Sequence, residues 1–223
     1  MRDTGLYGRS SGKFRQEQAK KSQKNIFSYP RYWSKIMQNN ESIVTLLLRE
    51  EVKDFIDRHL DADTNELALK IKKGAYPFSL PAVLELIRLY RKARIKLPRF
   101  FECRAALNKK AYEQSSSELT ALKKAGLAGG SSLLNLCGGL GVDDWAFSRV
   151  FDEVVSLEKD AEIHEMAAYN LNALACRNVE RKYVAAEDFL RENSRKFDWV
   201  YADPDRRSSG GRSKGLEDAS PDI

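Results

Sequence analysis

The stretch Ser131 to Asp143, SSLLNLCGGLGVD, admits few folds. Leu133, Leu134 and Leu136 read as a short buried strand, and Gly138, Gly139 and Gly141 turn it into a helix that opens at Val142. Glycine at such a corner accepts backbone angles that other residues resist and lets a ligand approach bare amides. A second strand, Glu153 to Leu157, ends on Glu158, where a carboxylate can take two ribose hydroxyls. This order predicts a parallel sheet with a nucleotide-type cofactor laid across its strand ends.

The glycine spacing narrows the cofactor. A dinucleotide fingerprint is G-x-G-x-x-G, whereas here Gly138, Gly139, Leu140 and Gly141 are followed by Val142, Asp143 and Asp144, with no third glycine opening the helix. That argues against a pyrophosphate. S-adenosylmethionine has no phosphate, and its ammonium and sulfonium groups tolerate carboxylates such as Asp143 and Asp144. An ordinary glycine turn between strand and helix is the alternative. Cys137 sits inside the turn and reads as a small side chain filling space below the loop rather than as a nucleophile.

Charge is unevenly placed. The net charge is +6, but residues 1–40 hold nine Lys/Arg against Asp3 and Glu17, so this arm carries +7 and the rest sums to −1. A basic arm before a near-neutral body suggests contact with nucleic acid or another polyanion; a solvated leader is the other reading. Phe27, Tyr29, Tyr32 and Trp33 interleave with its cations and could stack on bases or dock on the helices behind. Cys103, Cys137 and Cys176 have no C-x-x-C partner, which supports neither a disulfide framework nor a zinc site. No apolar run approaches the roughly 18 residues of a membrane span, so a soluble, cytoplasmic protein without metal or membrane partner is expected.

From Ser42 to Pro98 the pattern is helical. One amphipathic helix is expected from Ser42 to His59, with Leu47, Leu48, Val52, Phe55 and Ile56 inward; a second over Asp63 to Lys73; and a third from Ser79 to Ile95, with Pro81 in its first turn and Val83, Leu84, Ile87 and Tyr90 buried. Arg88, Arg91, Lys92 and Arg94 could grip phosphates or form a solvated face. His59 ends its stripe with no metal-type companion. Residues 1–41 thus form an arm, 42–98 a helical domain and 99–223 an α/β domain. In EQSSSELTALKKAGL, residues 113–127, Ser115 and Glu118 have capping-box spacing for a helix leading into the first strand. Its amino-terminal amides could hold the carboxylate of the methionine moiety.

Beyond the glycine turn, strand and helix alternate. Trp145, Ala146 and Val150 are expected to face inward, then Val154, Val155 and Leu157 on the second strand, and a helix over Ala161 to Ala175 with His164 on its polar side. A third strand, Lys182 to Ala185, runs to Glu187, Asp188 and Phe189, which could read an adenine edge. A fourth, Trp199 to Ala202, runs into Asp203, Pro204, Asp205, Arg206 and Arg207. Four strand ends would then share one polar rim.

In this order NLCGGLG, SLEKD, AAEDF and YADPDRR are similar to class I S-adenosylmethionine-dependent methyltransferases. More narrowly, EQSSSELTALKKAGL, NLCGGLGVDD and DPDRR, with DTNELALK and KLPRF in front, resemble a bacterial group of class I methyltransferases that carry a THUMP-like domain. The likeness covers about residues 42–223 and implies a Rossmann-like sheet of about four parallel strands after a small all-helical domain. It implies that Asn135, Cys137, Gly138, Gly139, Gly141 and Asp143 line the methionine end, Glu158 and Lys159 the ribose, Asp188 and Phe189 the adenine, and Asp203 with Pro204 the methyl acceptor. Arg206 and Arg207 would hold a substrate phosphate, or pair with Asp205 and Glu217 in a loop. Asn135 stands where the family has Asp, and Asp205-Arg206 replaces the second proline and aromatic of the amino-directed motif Asp-Pro-Pro-aromatic. The family sheet continues beyond a fourth strand, so the resemblance makes this chain an incomplete methyltransferase domain whose Phe197 to Ala202 edge is open to self-association.

Methyl transfer from a sulfonium is an in-line displacement that needs positioning more than strong acid or base. RNA modification by N-methylation of a base is the expected activity, with Asp203 and Pro204 accepting hydrogen bonds from the acceptor amine. An inactive relic acting as an RNA-binding module is the alternative, and a nicotinamide-linked oxidoreductase the weaker third.

Overall fold

The computed structural model describes residues 41–72 and 74–203, and its sheet runs as the glycine corner requires. Strands β1 (Gly130–Asn135), β2 (Phe151–Glu158), β3 (Val179–Tyr183) and β4 (Trp199–Tyr201) are all parallel, in the order β3-β2-β1-β4. The chain winds outward from β1 to β3 and then crosses to the far side of β1. The crevice between β1 and β4, at their carboxyl ends, is therefore the switch point where open α/β sheets bind ligands. Leu133 aligns with Val154, and Leu134 with Val155, so alternate residues feed opposite faces. Leu133 and Val154 join the large core, while Leu134, Leu136, Val155 and Leu157 form a smaller cluster with Ala186. Burial on both faces explains why neighbouring residues, Leu133 and Leu134 in β1 and Val154 and Val155 in β2, are both apolar.

The helices in front are α1 (Ile43–Leu47), α2 (Glu50–His59), α3 (Thr64–Lys70) and α4 (Leu80–Lys96), then the short α5 (Pro98–Glu102) and α6 (Lys109–Gln114), and α7 (Glu118–Ala125) before β1. The single helix expected from Ser42 to His59 is broken. Ser42 caps α1 by accepting from the Thr45 amide, but Arg49 is extended and Leu48 is 61% exposed. At about 100° per residue an unbroken helix would turn Leu46 and Leu47 well away from the side that carries Val52, Phe55 and Ile56. The break lets both sets reach one core. Asp63 caps α3 through the Asn65 and Glu66 amides, and α4 buries Val83, Leu84, Ile87 and Tyr90 as expected.

The arginines of α4 have structural work. Arg91 donates to the carbonyls of Leu60 and Ala62, Arg94 pairs with Asp61, and Arg88 reaches Thr64, Asn65 and Glu85. They tie down the turn between α2 and α3, where carbonyls lack helical partners. Capping of α7 also differs from expectation. Its cap is Ser117, and Glu118, almost fully buried, reaches across to accept from the Arg99 and Phe100 amides at the start of α5.

Three helices link the strands: α8 (Val142–Phe147), α9 (Ala161–Ala173) and α10 (Ala186–Glu192). Helix α8 stops short of Val150, which is 40% exposed rather than inward. Strand β3 starts and ends earlier than expected because Val179 pairs with Val154, which leaves Glu187, Asp188 and Phe189 in the first turns of α10. One buried cluster runs from Val44 through α4 to Leu171, and it covers the front helices and one sheet face together.

Candidate functional site

The loop after β1 is pinned on both sides. Leu136 donates to the Tyr201 carbonyl of β4, and Gly138 donates to the Leu157 carbonyl of β2, at 2.9 and 2.8 Å. Next in the chain, Gly139 has φ +49 and open space where a side chain would be, so nothing crowds its Cα. Gly141, at φ +83, caps α8 and packs on Leu171. Glu158 lies beside this turn: one carboxylate oxygen accepts from the Gly139 amide at 3.0 Å and the other from the Asp160 amide at 2.9 Å.

A buried polar knot supports the turn from beneath. Asp144, on α8 and with no exposure, accepts from Asn135 Nδ2 at 2.6 Å, Ser156 Oγ at 2.7 Å and Arg181 Nη1 at 2.8 Å. Arg181 also donates to the Gly139 carbonyl at 3.1 Å. A Cβ at Gly138 would stand 1.9 Å from Arg181 Nη1 and 2.5 Å from Ser156 Oγ. Gly138 is therefore glycine because an ion pair fills the space below it.

Three carboxylates act on Cys137 by their charge: Asp203 just beyond β4, Glu158 at the end of β2 and Glu187 in the first turn of α10. Burial raises its thiol to about 11; a backbone hydrogen bond with Asp203 opposes this, and the charges of Asp203, Glu158 and Glu187 add to it. A thiol so placed stays protonated at neutral pH and is no nucleophile. On the other flank, Lys124 of α7 donates to Ser116 Oγ at 2.9 Å, Tyr201 Oη at 2.5 Å and Asp203 Oδ2 at 3.1 Å. Its ammonium also lies 3.3 Å from Asp143 Oδ1, an ion pair not aligned as a hydrogen bond to that oxygen, while Asp143 Oδ2 accepts from Ser116.

The residues singled out in the sequence divide accordingly. Cys137, Gly138, Gly139, Gly141, Asp143, Glu158 and Asp203 surround the loop, with Lys159 next in the chain. Asn135 is fully buried and braces the loop from below, donating to Asp144 and accepting from the Cys137 amide. Asp188 is exposed and pairs with Arg191, whereas its neighbour Glu187 is the carboxylate that acts on Cys137. Phe189 packs on the smaller core cluster. Pro204, Arg206 and Arg207 lie outside the described residues. Sequence reasoning missed Ser156, Arg181, Lys124 and Tyr201. A hollow of about 470 Å³ lined by Ile71, Tyr76, Phe78 and Pro81 lies beside α3 and α4, away from this chemistry. Among the described residues no group of three or more His, Cys, Asp or Glu could hold a metal, and no helix is long and apolar enough to cross a membrane.

Sheet order, parallel strands and the glycine turn above β1 define a Rossmann-like fold of the class I methyltransferase type. Residues 112–209, less than half of the chain, match the family described as Conserved hypothetical protein 95. No curated protein matches the chain. A methyltransferase candidate from Porphyromonas gingivalis W83 is 22% identical with a TM-score of 0.62 over 77% of this chain, which spans only 43% of that protein's length. An rRNA methylase from Streptococcus thermophilus is 13% identical with a TM-score of 0.33, covering 37% of this chain and 50% of that one. A methyltransferase candidate from Streptococcus mutans in complex with SAH is 14% identical with a TM-score of 0.35, covering 45% and 58%. The first of these likenesses carries the fold assignment.

Proposed function

We propose that this chain is the cofactor-binding part of an S-adenosyl-L-methionine-dependent methyltransferase that N-methylates an RNA base, related to the THUMP-like-domain group. The supporting observation is that the charges of Asp203, Glu158 and Glu187 all act on Cys137, next to the uncrowded Cα of Gly139. A pyrophosphate would be repelled there, whereas a cofactor carrying ammonium and sulfonium cations is attracted. Bound there, S-adenosylmethionine would supply an activated methyl group whose thioether leaves readily. Glu158 accepts the ribose hydroxyls in this reading, with Lys159 beside it. Asp188 and Phe189 flank the adenine. Cys137, Gly138, Gly139, Gly141 and Asp143 line the methionine end, supported from beneath by Asn135. Asp203 and Pro204 face the acceptor, and Arg206 and Arg207 take a substrate phosphate.

RNA as the substrate rests on the +7 charge of residues 1–40. A cytoplasmic location belongs to the same reading, supported by the free thiols of Cys103, Cys137 and Cys176, which fit a reducing compartment. Isothermal titration of the chain with S-adenosylmethionine tests the cofactor, and mass spectrometry of cellular RNA with and without the intact gene tests the substrate. Asp203→Ala should abolish methylation while leaving cofactor affinity within about threefold. Loss of affinity instead would move Asp203 into the cofactor site, and a chain that binds no S-adenosylmethionine would be the inactive relic.

A further inference from the structure

Lys124 is a helical residue with 27% of its side chain exposed, in a position where a lysine ordinarily points to water. Here it turns inward. Its three N–H groups face four partners: Ser116, Asp143 of α8, Tyr201 of β4 and Asp203 just beyond that strand. Burial alone would lower its pKa, but Tyr201, Asp143 and Asp203 together push it above the ordinary lysine range. Lys124 is thus a permanent cation and no proton acceptor. Tyr201, raised by burial against the pull of Lys124, likewise keeps its proton and donates to Asp203 Oδ2 at 3.3 Å.

The contacts to the Asp203 carboxylate from Lys124 and from the Tyr201 hydroxyl fall on the same oxygen, Oδ2. With Oδ2 held twice, the rotation of the carboxylate is fixed, and Oδ1 can serve an incoming donor. We propose that Lys124 is a positioning residue: it ties Asp143 beside the glycine turn to Tyr201 and Asp203 at the end of the fourth strand, and so aligns Asp203 for an acceptor that brings an N–H group. This rests on the methyltransferase reading above. It also selects the acceptor. A group that carries an N–H can donate to Oδ1, whereas an anionic oxygen would meet a carboxylate whose one bound cation is already engaged.

The test compares Lys124→Met and Lys124→Arg with the parent chain, using S-adenosylmethionine with a tritiated methyl group and RNA from cells that lack the gene. Lys124→Met should lower kcat by about tenfold or more, the scale of a misaligned reacting group. The Kd for S-adenosylmethionine should stay within about threefold, and Lys124→Arg should recover most of the lost rate. An unchanged kcat in Lys124→Met, or no recovery with Lys124→Arg in a folded protein, overturns the proposal. A second readout needs no acceptor: carboxyl carbon NMR of Asp143. That carboxyl is raised by burial and pulled back by Lys124 and Ser116, with Asp144 acting against them and Tyr201 across the cluster. Its titration midpoint should rise in Lys124→Met and hold in Lys124→Arg; an unmoved midpoint in Lys124→Met overturns the bridge. If the parent chain binds S-adenosylmethionine but methylates no RNA, the substrate assignment fails and the NMR result decides on Lys124.

Discussion

Replacing Gly138 by alanine sets one methyl group against a buried ion pair. The new Cβ would lie 1.9 Å from Arg181 Nη1, 2.8 Å from Arg181 Cζ and 2.5 Å from Ser156 Oγ. The end of an arginine is normally free to move aside, but this side chain is only 5% exposed and its Nη1 holds Asp144, which is wholly buried. Overpacking alone costs about 1–3 kcal/mol. Displacing Arg181 also strips a buried carboxylate of its cation, which raises the cost to about 3–5 kcal/mol. With a urea m-value of about 2 kcal/mol/M, the unfolding midpoint should fall by roughly 1.5–2.5 M. Gly139→Ala is the control: φ +49 strains an alanine by about 1–2 kcal/mol, but no heavy atom lies within 4 Å of its Cβ. Urea titration followed by circular dichroism should rank Gly138→Ala clearly worse. Equal midpoints, or the reverse order, would refute the view that the Arg181–Asp144 pair dictates this glycine.

Other outcomes follow from the same geometry. Glu158→Gln should weaken S-adenosylmethionine binding by about ten- to a hundredfold in isothermal titration, because a charged hydrogen-bond acceptor contributes about 1.5–3 kcal/mol; unchanged affinity would remove Glu158 from the ribose site. His164 is depressed to about 4, by burial first and the Arg181 charge second. Its neutral form is favoured in the folded chain, so it adds stability above pH 6.5 that is lost as pH falls toward 4. His164→Gln should remove that slope, on the order of 1–2 kcal/mol once solvent screening is allowed for, in urea titrations across this range. Val200, 57% exposed on β4, lies on a strand whose one neighbour among the described residues is β1. We propose that this edge supports self-association, so sedimentation velocity should show concentration-dependent dimers that Val200→Lys abolishes. A parent chain that is monomeric at all concentrations would rule this out.

The glycine corner, the parallel sheet and the neighbourhood of Glu158 were legible because each rests on local rules: apolar runs, glycine angles and an acidic residue at a strand end. What escaped is contact across long sequence separations. Arg181 looks like one more cation in the strand VERKY, and only the register of β3 on β2 aligns it with Ser156 and brings it over Asp144. Lys124 falls beside Lys123 in a charged helical stretch, and nothing local shows that β4 will deliver Tyr201 and Asp203 to it. Ser115 and Glu118 fit a capping box, yet Glu118 serves the amides of another helix because α5 packs close by. The α4 arginines suggested a phosphate grip, but the carbonyls of the turn after α2 claim them first.

Asn170 accepts from the Ala106 amide at 2.7 Å and donates to the Ala106 and Leu140 carbonyls at 3.1 and 3.4 Å, with no part of it exposed. One amide group thereby staples the segment after α5 to the residue between Gly139 and Gly141. A shift of the front helices would be felt at the turn where the cofactor is expected to lie, and a turn reshaped by its occupant would pull on those helices in return. The leading helices are in this sense part of the floor of the site, and a partner that grasped them would be handling the site itself.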